Sequence, residues 1–294
     1  MDERNARRIS YRMAHKIPRA LILLLCWLLA GGISFLQRLG FTQQLNQNLS
    51  RAYADRSKRK IKKITRYYYY HLFLSLFELL FDVNHLPQRE SKIFRVTGQE
   101  HLTEALHRGK GIIVYAPHIG NFFYYYWFLS KHYDCLAVAT ATDPNIRSIY
   151  LKFNELGCKG IDYDLTPPLQ LMKSLRTHLA RNGVVFLLGD FYRDAFPDSQ
   201  FFGHQTRSPR GAALLALQHQ IPIVLMKAKR TKGFRHEIRF LESFDMYLSF
   251  ESHESAEANQ FLNNWMESVV RDQPDQWFYW YDVHNRWKEN SLHT

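Results

Sequence analysis

The sequence predicts an α/β fold with a mainly parallel sheet flanked by helices, preceded by a membrane-anchoring helical arm. Three observations support this prediction. From about residue 91 onward, short apolar segments alternate with longer helical segments, which is typical of a parallel sheet covered by helices. Residues 20–37 carry no charge, and basic residues stand on both sides of them. We therefore assign residues 1–90 to the arm and residues 91–294 to one α/β domain, a size that allows a substantial core.

The apolar segments of the domain give its predicted strands, and the longer amphipathic segments give its helices. A turn at Pro87–Lys92 is expected to open the domain, and a last helix over Glu254–Arg271 ends before Pro274. The predicted strands are Ile112–Tyr115, Leu136–Ala141, Val184–Leu188 and Ile223–Met226, with a weaker one at Glu237–Phe240. The predicted helices between them are Phe122–Lys131, Ile146–Leu156, Leu169–Arg181 and Gly211–His219.

The arm begins with a segment that is almost long enough to span a bilayer. Eighteen helical residues span about 27 Å, just short of the hydrocarbon core of about 30 Å. Because basic clusters tend to stay on the cytoplasmic face, two of them favour a tilted, re-entrant or interfacial helix over a simple span. A buried soluble helix is the alternative. The first basic cluster consists of Arg4, Arg7, Arg8, Arg12, Lys16 and Arg19, and the second lies within Arg56–Arg66.

The second basic cluster continues into the aromatic and aliphatic segment Tyr67–Phe81. A basic start followed by such a segment suits contact with the anionic headgroups of a membrane, with tyrosines at the interface. Lys58–Lys63 alone would also fit a nucleic-acid or nuclear-targeting patch. No recognisable nucleic-acid-binding signature accompanies it, so we expect an anionic membrane and no nucleic acid as partner.

Composition narrows the classes of ligand. The formal net charge of +12 suits anionic partners, namely phospholipids, phosphorylated glycolipids, acidic proteins or nucleic acids. Cys26, Cys135 and Cys158 have scattered spacings that indicate neither a metal motif nor a disulfide framework, as in a reducing cytoplasmic setting. No histidine spacing indicates a metal site and no nucleotide motif is present, so we expect no cofactor.

His118 is the candidate catalytic base. It follows the apolar segment Gly111–Ala116, and ligands of open α/β sheets bind at the carboxyl ends of the strands. Gly120 and Asn121 suit a tight turn into a helix whose first amides could bind an anion or a developing oxyanion. Ordinary helix capping is the alternative role of these two residues, and both roles can coexist.

Two carboxylates could orient the His118 imidazole. Asp190 ends the strand Val184–Leu188, and Asp143 follows the strand Leu136–Ala141, so a parallel sheet brings both to the edge where His118 lies. Helix capping is the alternative role of Asp143.

A basic loop precedes the predicted helix Gly211–His219. Arg207 and Arg210 flank Ser208-Pro209, and guanidinium groups beside helical amides can bind a phosphate or a carboxylate. Solvated surface positions are the alternative for both arginines.

Several motifs of the chain resemble those of the bacterial late lipid A acyltransferases, a branch of the lysophospholipid acyltransferase superfamily. The segment from residue 115 to 126 reads Tyr-Ala-Pro-His-Ile-Gly-Asn-Phe-Phe-Tyr-Tyr-Tyr and contains the His-x-Gly-Asn string. Residues 201–224 resemble the Phe-Phe-Gly, Thr-containing loop, Ala/Leu-rich helix and Pro-entered strand of that family. Residues 271–287 resemble its Pro-x-Gln-Trp…Arg-Trp ending, so the resemblance extends from about residue 20 to about residue 288.

The resemblance implies a fold, a reaction and partners. Members of the family have an acyltransferase-like fold and move a fatty acyl group from an acyl-carrier-protein thioester to a lipid A hydroxyl, while a base accepts the hydroxyl proton. The family has an aspartate at the place matching Asp190, which makes Asp190 the preferred partner of His118. The resemblance also implies a bacterial inner-membrane location, with the catalytic domain on the cytoplasmic face, and chemistry without metal or nucleotide.

Two positions depart from the family pattern. The family carries His-x4-Asp/Glu, but the fifth residue after His118 is Phe123. In the family, an arginine usually stands four residues before the glycine that matches Gly157. Phe153 occupies that position here. Bulky aromatics could shorten an acyl tunnel, and the superfamily includes a lipid A glycyltransferase, whose modification masks lipid A charge against cationic peptides. The hypothesis is therefore aminoacyl transfer, in the simplest case glycyl, to lipid A or a related glycolipid from an aminoacyl or acyl carrier protein.

Other functions remain open from the sequence. The first is ordinary fatty acyl transfer to lipid A or a glycerolipid, with Asp190 as the acid partner of His118. The second is a non-catalytic membrane-bound scaffold. Nucleic-acid binding is a distant third.

Overall fold

A computed structural model describes residues 17–36, 40, 42–140, 142 and 144–288 of the chain. It has an α/β architecture with a mostly parallel seven-stranded sheet flanked by helices, as the sequence predicts. The strands are β1 (Phe94–Thr97), β2 (Ile112–Ala116), β3 (Cys135–Ala139), β4 (Lys159–Asp162), β5 (Val184–Leu188), β6 (Asp198–Phe201), β7 (His204–Arg207), β8 (Ile223–Arg230) and β9 (His236–Phe244). The helices are α1 (Arg19–Phe35), α2 (Gln43–Ala52), α3 (Lys58–Phe77), α4 (Leu86–Ile93), α5 (Gln99–His107), α6 (Phe122–His132), α7 (Pro144–Glu155), α8 (Pro168–Ala180), α9 (Gly211–His219), α10 (Ser255–Asp272) and α11 (Val283–Arg286).

The order of strands in the main sheet is β1-β9-β8-β2-β5-β3-β4. The pairs β2–β5, β2–β8, β3–β5 and β3–β4 are parallel. Strands β6 and β7 form a separate antiparallel hairpin. Every residue of β2 is buried, which fits its Ile-Ile-Val-Tyr-Ala sequence because parallel strands covered by helices on both faces are continuously apolar.

The chain forms two compact units. The first contains the described residues up to Arg95 together with Arg230–Glu237 and Pro274–Tyr281. The second contains Val96–Lys229, Ile238–Gln273 and the described residues from Asp282 onward. The division at residue 90 that the sequence suggests stays a prediction.

In the first unit, α1 packs against α3 through one face. Its buried residues Ile22 and Cys26 form an apolar cluster with Leu74, joined by partly buried Tyr70 and Phe73. The other face of α1 is apolar as well and exposed, with Leu21, Leu24, Leu25, Leu28 and Leu29. None of the helices in the described part of the chain combines the length and apolarity required to cross a bilayer. The membrane-anchoring role of the arm stays a prediction, and the first basic cluster lies outside the described residues except for Arg19.

A buried ionic group also belongs to the first unit. Helix α3 continues into a π-helical turn at Glu78–Asp82. The Arg230 guanidinium donates two hydrogen bonds of 2.6 Å to the two carboxylate oxygens of Glu78. The Nε2 atom of His236 lies 2.9 Å from Oε1 of Glu78. The three side chains are at most 1% exposed. The hydrogen bonds within this group compensate the charges of Arg230 and Glu78, whose burial without partners would be strongly unfavourable in free energy.

The secondary structure differs from the prediction in several places, and helices α2, α5 and α11 are among the elements that were not predicted. The expected turn at Pro87–Lys92 lies inside the helix α4, where Pro87 occupies the first turn and so leaves no helical hydrogen bond unmade. Strands β1 and β4 were not predicted. The hairpin β6–β7 was also not predicted, because its Asp-Ser-Gln-Phe and His-Gln-Thr-Arg strands lack an apolar pattern.

Candidate active site

The register of two parallel strands brings His118 and Asp190 together. The last residue pair between β2 and β5 joins Ala116 to Leu188, and the amide of Gly189 donates to the carbonyl of Ala116 at 3.0 Å. His118 and Asp190 each follow two residues after that pair. Because the strands run in the same direction, both side chains emerge at the same sheet edge, where α/β proteins bind their ligands.

His118 and Asp190 contact each other through both the ring and the backbone of the histidine. The Nδ1 atom of His118 lies 2.6 Å from Oδ1 of Asp190. The backbone amide of His118 donates to both carboxylate oxygens, at 3.0 and 2.9 Å. A carboxylate at Nδ1 places the ring proton on that nitrogen, and Nε2 then has the lone pair that a general base needs. The geometry is that of a His–Asp pair able to accept a proton from a substrate hydroxyl.

The pair is shielded from water without being closed off. The side chain of His118 is 11% exposed and that of Asp190 is 2% exposed. The ring of Phe122 meets the His118 imidazole edge-on at 4.8 Å between ring centres. A largely desolvated carboxylate next to an imidazole stabilises the imidazolium that forms during proton transfer more strongly than an exposed one does.

Close packing beneath the pair explains a glycine in the Leu-Leu-Gly-Asp sequence. A Cβ atom at Gly189 would lie 1.7 Å from the phenolic oxygen of Tyr115, so no other residue fits there. The Tyr115 side chain is fully buried below the strand ends. Burial raises the pKa of Tyr115 far above its ordinary value, and the negative charge of Asp190 raises it further. Tyr115 is therefore neutral, and its side chain fills the space next to Gly189 and Asp190.

Gly120 and Asn121 form the turn between His118 and helix α6. Gly120 has φ +60°, a left-handed conformation that glycine adopts without strain. Asn121 is the N-cap of α6, and its side-chain oxygen accepts a weak hydrogen bond of 3.4 Å from the amide of Tyr124. The structure thus gives Asn121 the capping role. A direct role of these residues in substrate binding stays a prediction.

Arg207 and Arg210 lie together at the β6–β7 hairpin, and both contact Asp198. The Nε atom of Arg207 lies 3.4 Å from Oδ1 of Asp198, and Arg210 donates to the Asp198 carbonyl at 3.3 Å. A hydrogen bond from Lys288 lowers the pKa of Asp198, and the charges of Lys288 and Arg207 lower it further. Arg210 is also the N-cap residue of α9. Arg207 and Lys288 therefore contact the exposed Asp198 carboxylate, and Arg210 contacts the Asp198 carbonyl. The role of these basic side chains toward substrate stays a prediction.

Arg286 is a site residue that the sequence analysis missed. Its Nη1 atom donates to the backbone carbonyl of Asp190 at 3.0 Å, and its Nε atom bonds to Asp282 at 3.0 Å. The carbonyl of Arg286 accepts a hydrogen bond of 2.8 Å from the hydroxyl of Thr206. Arg286 thus holds the segment that carries Asp190. The Arg-Trp ending of the sequence, which resembles that of the family, was its only signal.

The two positions that depart from the family pattern contact each other. The rings of Phe123 and Phe153 lie 5.4 Å apart, and Phe122 lies 4.6 Å from Phe123. Phe153 is 2% exposed. Replacement of a polar pair by a packed apolar pair is commonly neutral or favourable for stability, so the scaffold tolerates both changes together.

Asp143, the other candidate partner of His118, lies outside the described residues. The described part of the chain contains no cluster of three or more His, Cys, Asp or Glu side chains that could hold a metal ion. Of the candidate site residues, His118, Gly120, Asn121 and Asp190 form one constellation, and Arg207 and Arg210 form a second group around Asp198.

Comparison with known families identifies the ancestry of the chain. A family model described as "Bacterial lipid A biosynthesis acyltransferase" matches residues 9–289. The match includes most of the predicted arm and nearly all of the α/β domain. No curated protein matches the chain at a significant level.

Proposed function

Because the chain belongs to the bacterial lipid A biosynthesis acyltransferases, we propose that it transfers an aminoacyl group, in the simplest case glycyl, to a hydroxyl of lipid A. The donor in this proposal is a carrier-protein thioester. The observation that supports the proposal most directly is the contact between His118 and Asp190, at 2.6 Å. It provides a base with an orienting carboxylate even though Phe123 occupies the usual carboxylate position.

In the proposed reaction His118 takes the proton of the lipid A hydroxyl as its oxygen attacks the thioester carbonyl. Asp190 stabilises the resulting imidazolium and keeps the ring oriented. The carbon–sulfur bond then breaks, and the imidazolium returns its proton to the thiolate that leaves. Atoms and protons balance without a metal or a nucleotide.

The aromatic row beside His118 supports a small donor. Phe122 contacts the imidazole, Phe123 contacts Phe122, and Phe153 contacts Phe123. Rings in van der Waals contact leave no room between them for a long acyl chain. A glycyl group needs no apolar tunnel, and its amine would mask negative charge on lipid A after transfer.

The basic group around Asp198 supports an anionic substrate or partner. Arg207 and Lys288 contact the exposed carboxylate of Asp198, and Arg210 contacts its backbone carbonyl. Guanidinium groups form strong bidentate contacts with phosphate. We assign to this group the phosphates of lipid A or the acidic surface of the carrier protein.

A location at the cytoplasmic face of the bacterial inner membrane completes the proposal. The exposed leucines of α1 and the basic start of α3 suit insertion into the interface of an anionic membrane.

Ordinary fatty acyl transfer to lipid A is the second candidate. The family match favours it, because acyl transfer is the activity that the family description states. In that case the rings of Phe123 and Phe153 would have to separate, or the acyl chain would have to follow another path.

Mass spectrometry of lipid A from cells with and without the chain distinguishes these functions. The proposal predicts a mass increase equal to one glycyl group that is lost with His118→Ala. An increase equal to a fatty acyl group would establish the second candidate instead. A mass increase that persists in the His118→Ala variant would refute the role of His118. No mass increase in cells that contain the native chain would favour a scaffold without this chemistry.

A further inference from the structure

Arg66 of helix α3 is partly buried, and its setting differs from those of Arg19 and Arg230 in the same unit. The centre of its guanidinium lies 3.7 Å from the centre of the Trp27 ring on helix α1. Its Nε atom is buried and has no hydrogen-bond partner among the described residues. By contrast, Arg19 is paired with Asp82, and Arg230 is paired with Glu78. Arg66 therefore offers an uncompensated positive charge that is held against an indole.

The helix pair is built to accept this guanidinium. A Cβ atom at Gly31 would lie 3.3 Å from Nη2 of Arg66, so the glycine allows the guanidinium to approach α1 closely. Tyr67 and Tyr70 also contact Trp27, with their rings edge-on to the indole at 5.3 and 5.6 Å between ring centres. The cation–π contact fixes the plane of the guanidinium before any ligand binds.

The surroundings of Arg66 are apolar on one side and basic on the other. Leu24 and Leu28, which flank Trp27 in sequence, are 51% and 58% exposed. Lys62 and Lys63 precede Arg66 on α3 and are exposed. An exposed aliphatic face, an interfacial tryptophan and a basic helix end are the features expected of a protein surface at the headgroup level of a bilayer.

We propose that Arg66, held by Trp27 and Gly31, binds the phosphate of an anionic phospholipid at the membrane surface. The guanidinium supplies paired N–H donors to two phosphate oxygens, and Lys63 adds positive charge nearby. The exposed leucines enter the acyl region next to that headgroup. This inference rests on the membrane attachment included in the proposed function, and it adds a specific site and its ligand.

The experiment measures binding of the full chain to vesicles of phosphatidylcholine with and without phosphatidylglycerol. Arg59→Gln is the matched control, because Arg59 is an exposed arginine two helical turns before Arg66 on the same helix. Loss of one surface charge should weaken binding to the anionic vesicles about five-fold. Arg66→Gln should weaken it about fifty-fold, because a directed charge-assisted hydrogen bond is lost as well.

Two further variants distinguish loss of the binding site from loss of folding. Arg66→Lys keeps the charge but not the paired donors, so its binding should lie between those of the native chain and Arg66→Gln. Gly31→Ala leaves every charge in place and should weaken anionic binding by displacing the guanidinium. The melting temperature of each variant establishes that it is folded.

Equal losses for Arg66→Gln and Arg59→Gln would overturn the site while leaving membrane attachment intact. Binding of the native chain to neither kind of vesicle would overturn attachment together with the site. Neither result bears on transfer by His118, which the lipid A mass spectra test separately. A loss of binding by Arg66→Gln on vesicles that contain lipid A, with no such loss on vesicles that contain phosphatidylglycerol, would assign the site to the glycolipid and overturn the phospholipid assignment.

Discussion

His118 and His236 each contact a carboxylate, one in each compact unit, and their surroundings differ in burial and charge. The side chain of His118 is 11% exposed, and its ring and backbone amide both contact the Asp190 carboxylate. His236 is fully buried, and the Glu78 carboxylate that it contacts is also paired with Arg230. The imidazole–carboxylate pair of His118 therefore lies at an accessible sheet edge, whereas that of His236 lies inside a buried ionic group.

The electrostatic surroundings of His236 and Glu78 determine their protonation states. Burial lowers the pKa of His236, and the charge of Arg230 opposes protonation as well, although Glu78 acts in the opposite direction. Burial alone would raise the pKa of Glu78, but the charge of Arg230 and the contacts with His236 lower it well below its ordinary value. The buried group is thus a neutral histidine beside a compensated ion pair. A histidine–carboxylate contact indicates catalysis only where a substrate can reach the ring.

Among the residues that surround His118, the largest expected effect concerns Asp190. Asp190→Asn keeps a hydrogen-bond acceptor near His118 but removes the charge that stabilises the imidazolium, so the rate of lipid A modification should fall about 10²–10⁴-fold. Modified lipid A is quantified by mass spectrometry at equal protein levels. Asp272→Asn, which changes a surface aspartate, is the control and should retain the native rate. A native rate for Asp190→Asn would mean that another group orients His118.

The second prediction concerns stability. Glu78→Gln leaves the buried charge of Arg230 without its counter-ion, so the free energy of unfolding should fall by about 3–5 kcal/mol. Urea denaturation measures the change, and Glu104→Gln on the exposed side of α5 serves as the control. A loss below about 1 kcal/mol would contradict the account of the buried group.

The third prediction concerns pH. Because the folded-state pKa of His236 is lowered, the unfolded chain binds a proton at this residue below about pH 6.5 and the folded chain does not. Stability from this group is complete above that pH and falls as the pH drops, by at most about 1.4 kcal/mol per pH unit. The contribution of Glu78, whose pKa is also lowered, is lost only below about pH 4.3.

Urea denaturation at several pH values checks the pH prediction. His236→Gln should reduce the slope of stability against pH below pH 6.5, whereas His253→Gln at an exposed position should leave it unchanged. Equal slopes for the native chain and His236→Gln would show that His236 does not titrate in this way.

The smallest expected effect concerns Arg286 as a positioning residue. Arg286→Met removes the hydrogen bond to the Asp190 carbonyl, so kcat should fall about ten-fold, with little change in KM. Its pH–rate profile should shift as well, because Asp190 orients the base, and Arg286→Lys should recover part of the rate. A change confined to KM would assign Arg286 to substrate binding instead.

Much of the sheet and the chemistry at its edge was accessible from the sequence. The continuous apolar runs of β2 and β5 predict buried parallel strands, and such strands deliver their following residues to one edge. The choice between Asp190 and Asp143 depends on strand order, which the local pattern does not contain. In the structure β5 is next to β2, and β3, which precedes Asp143, lies beyond β5.

Contacts between distant residues could not be predicted. Arg286 meets Asp190 across 96 residues, and His236 meets Glu78 across 158. No periodicity or spacing carries such information in one sequence.

The resemblance to the lipid A acyltransferases, in contrast, is confirmed at the level of the family, because motifs distributed over the whole chain carry it. The glycyl donor stays a prediction.

One matched pair of variants tests the central comparison most directly. His118→Gln and His236→Gln each replace a histidine that contacts a carboxylate with a neutral amide, and both lipid A modification and the free energy of unfolding are measured for each. We predict that His118→Gln abolishes modification and leaves stability within about 1 kcal/mol of the native value. His236→Gln should lower stability and keep the native rate per folded molecule. Full activity in His118→Gln, or loss of activity in folded His236→Gln, would contradict the assignment of catalysis to His118 and of stability to His236.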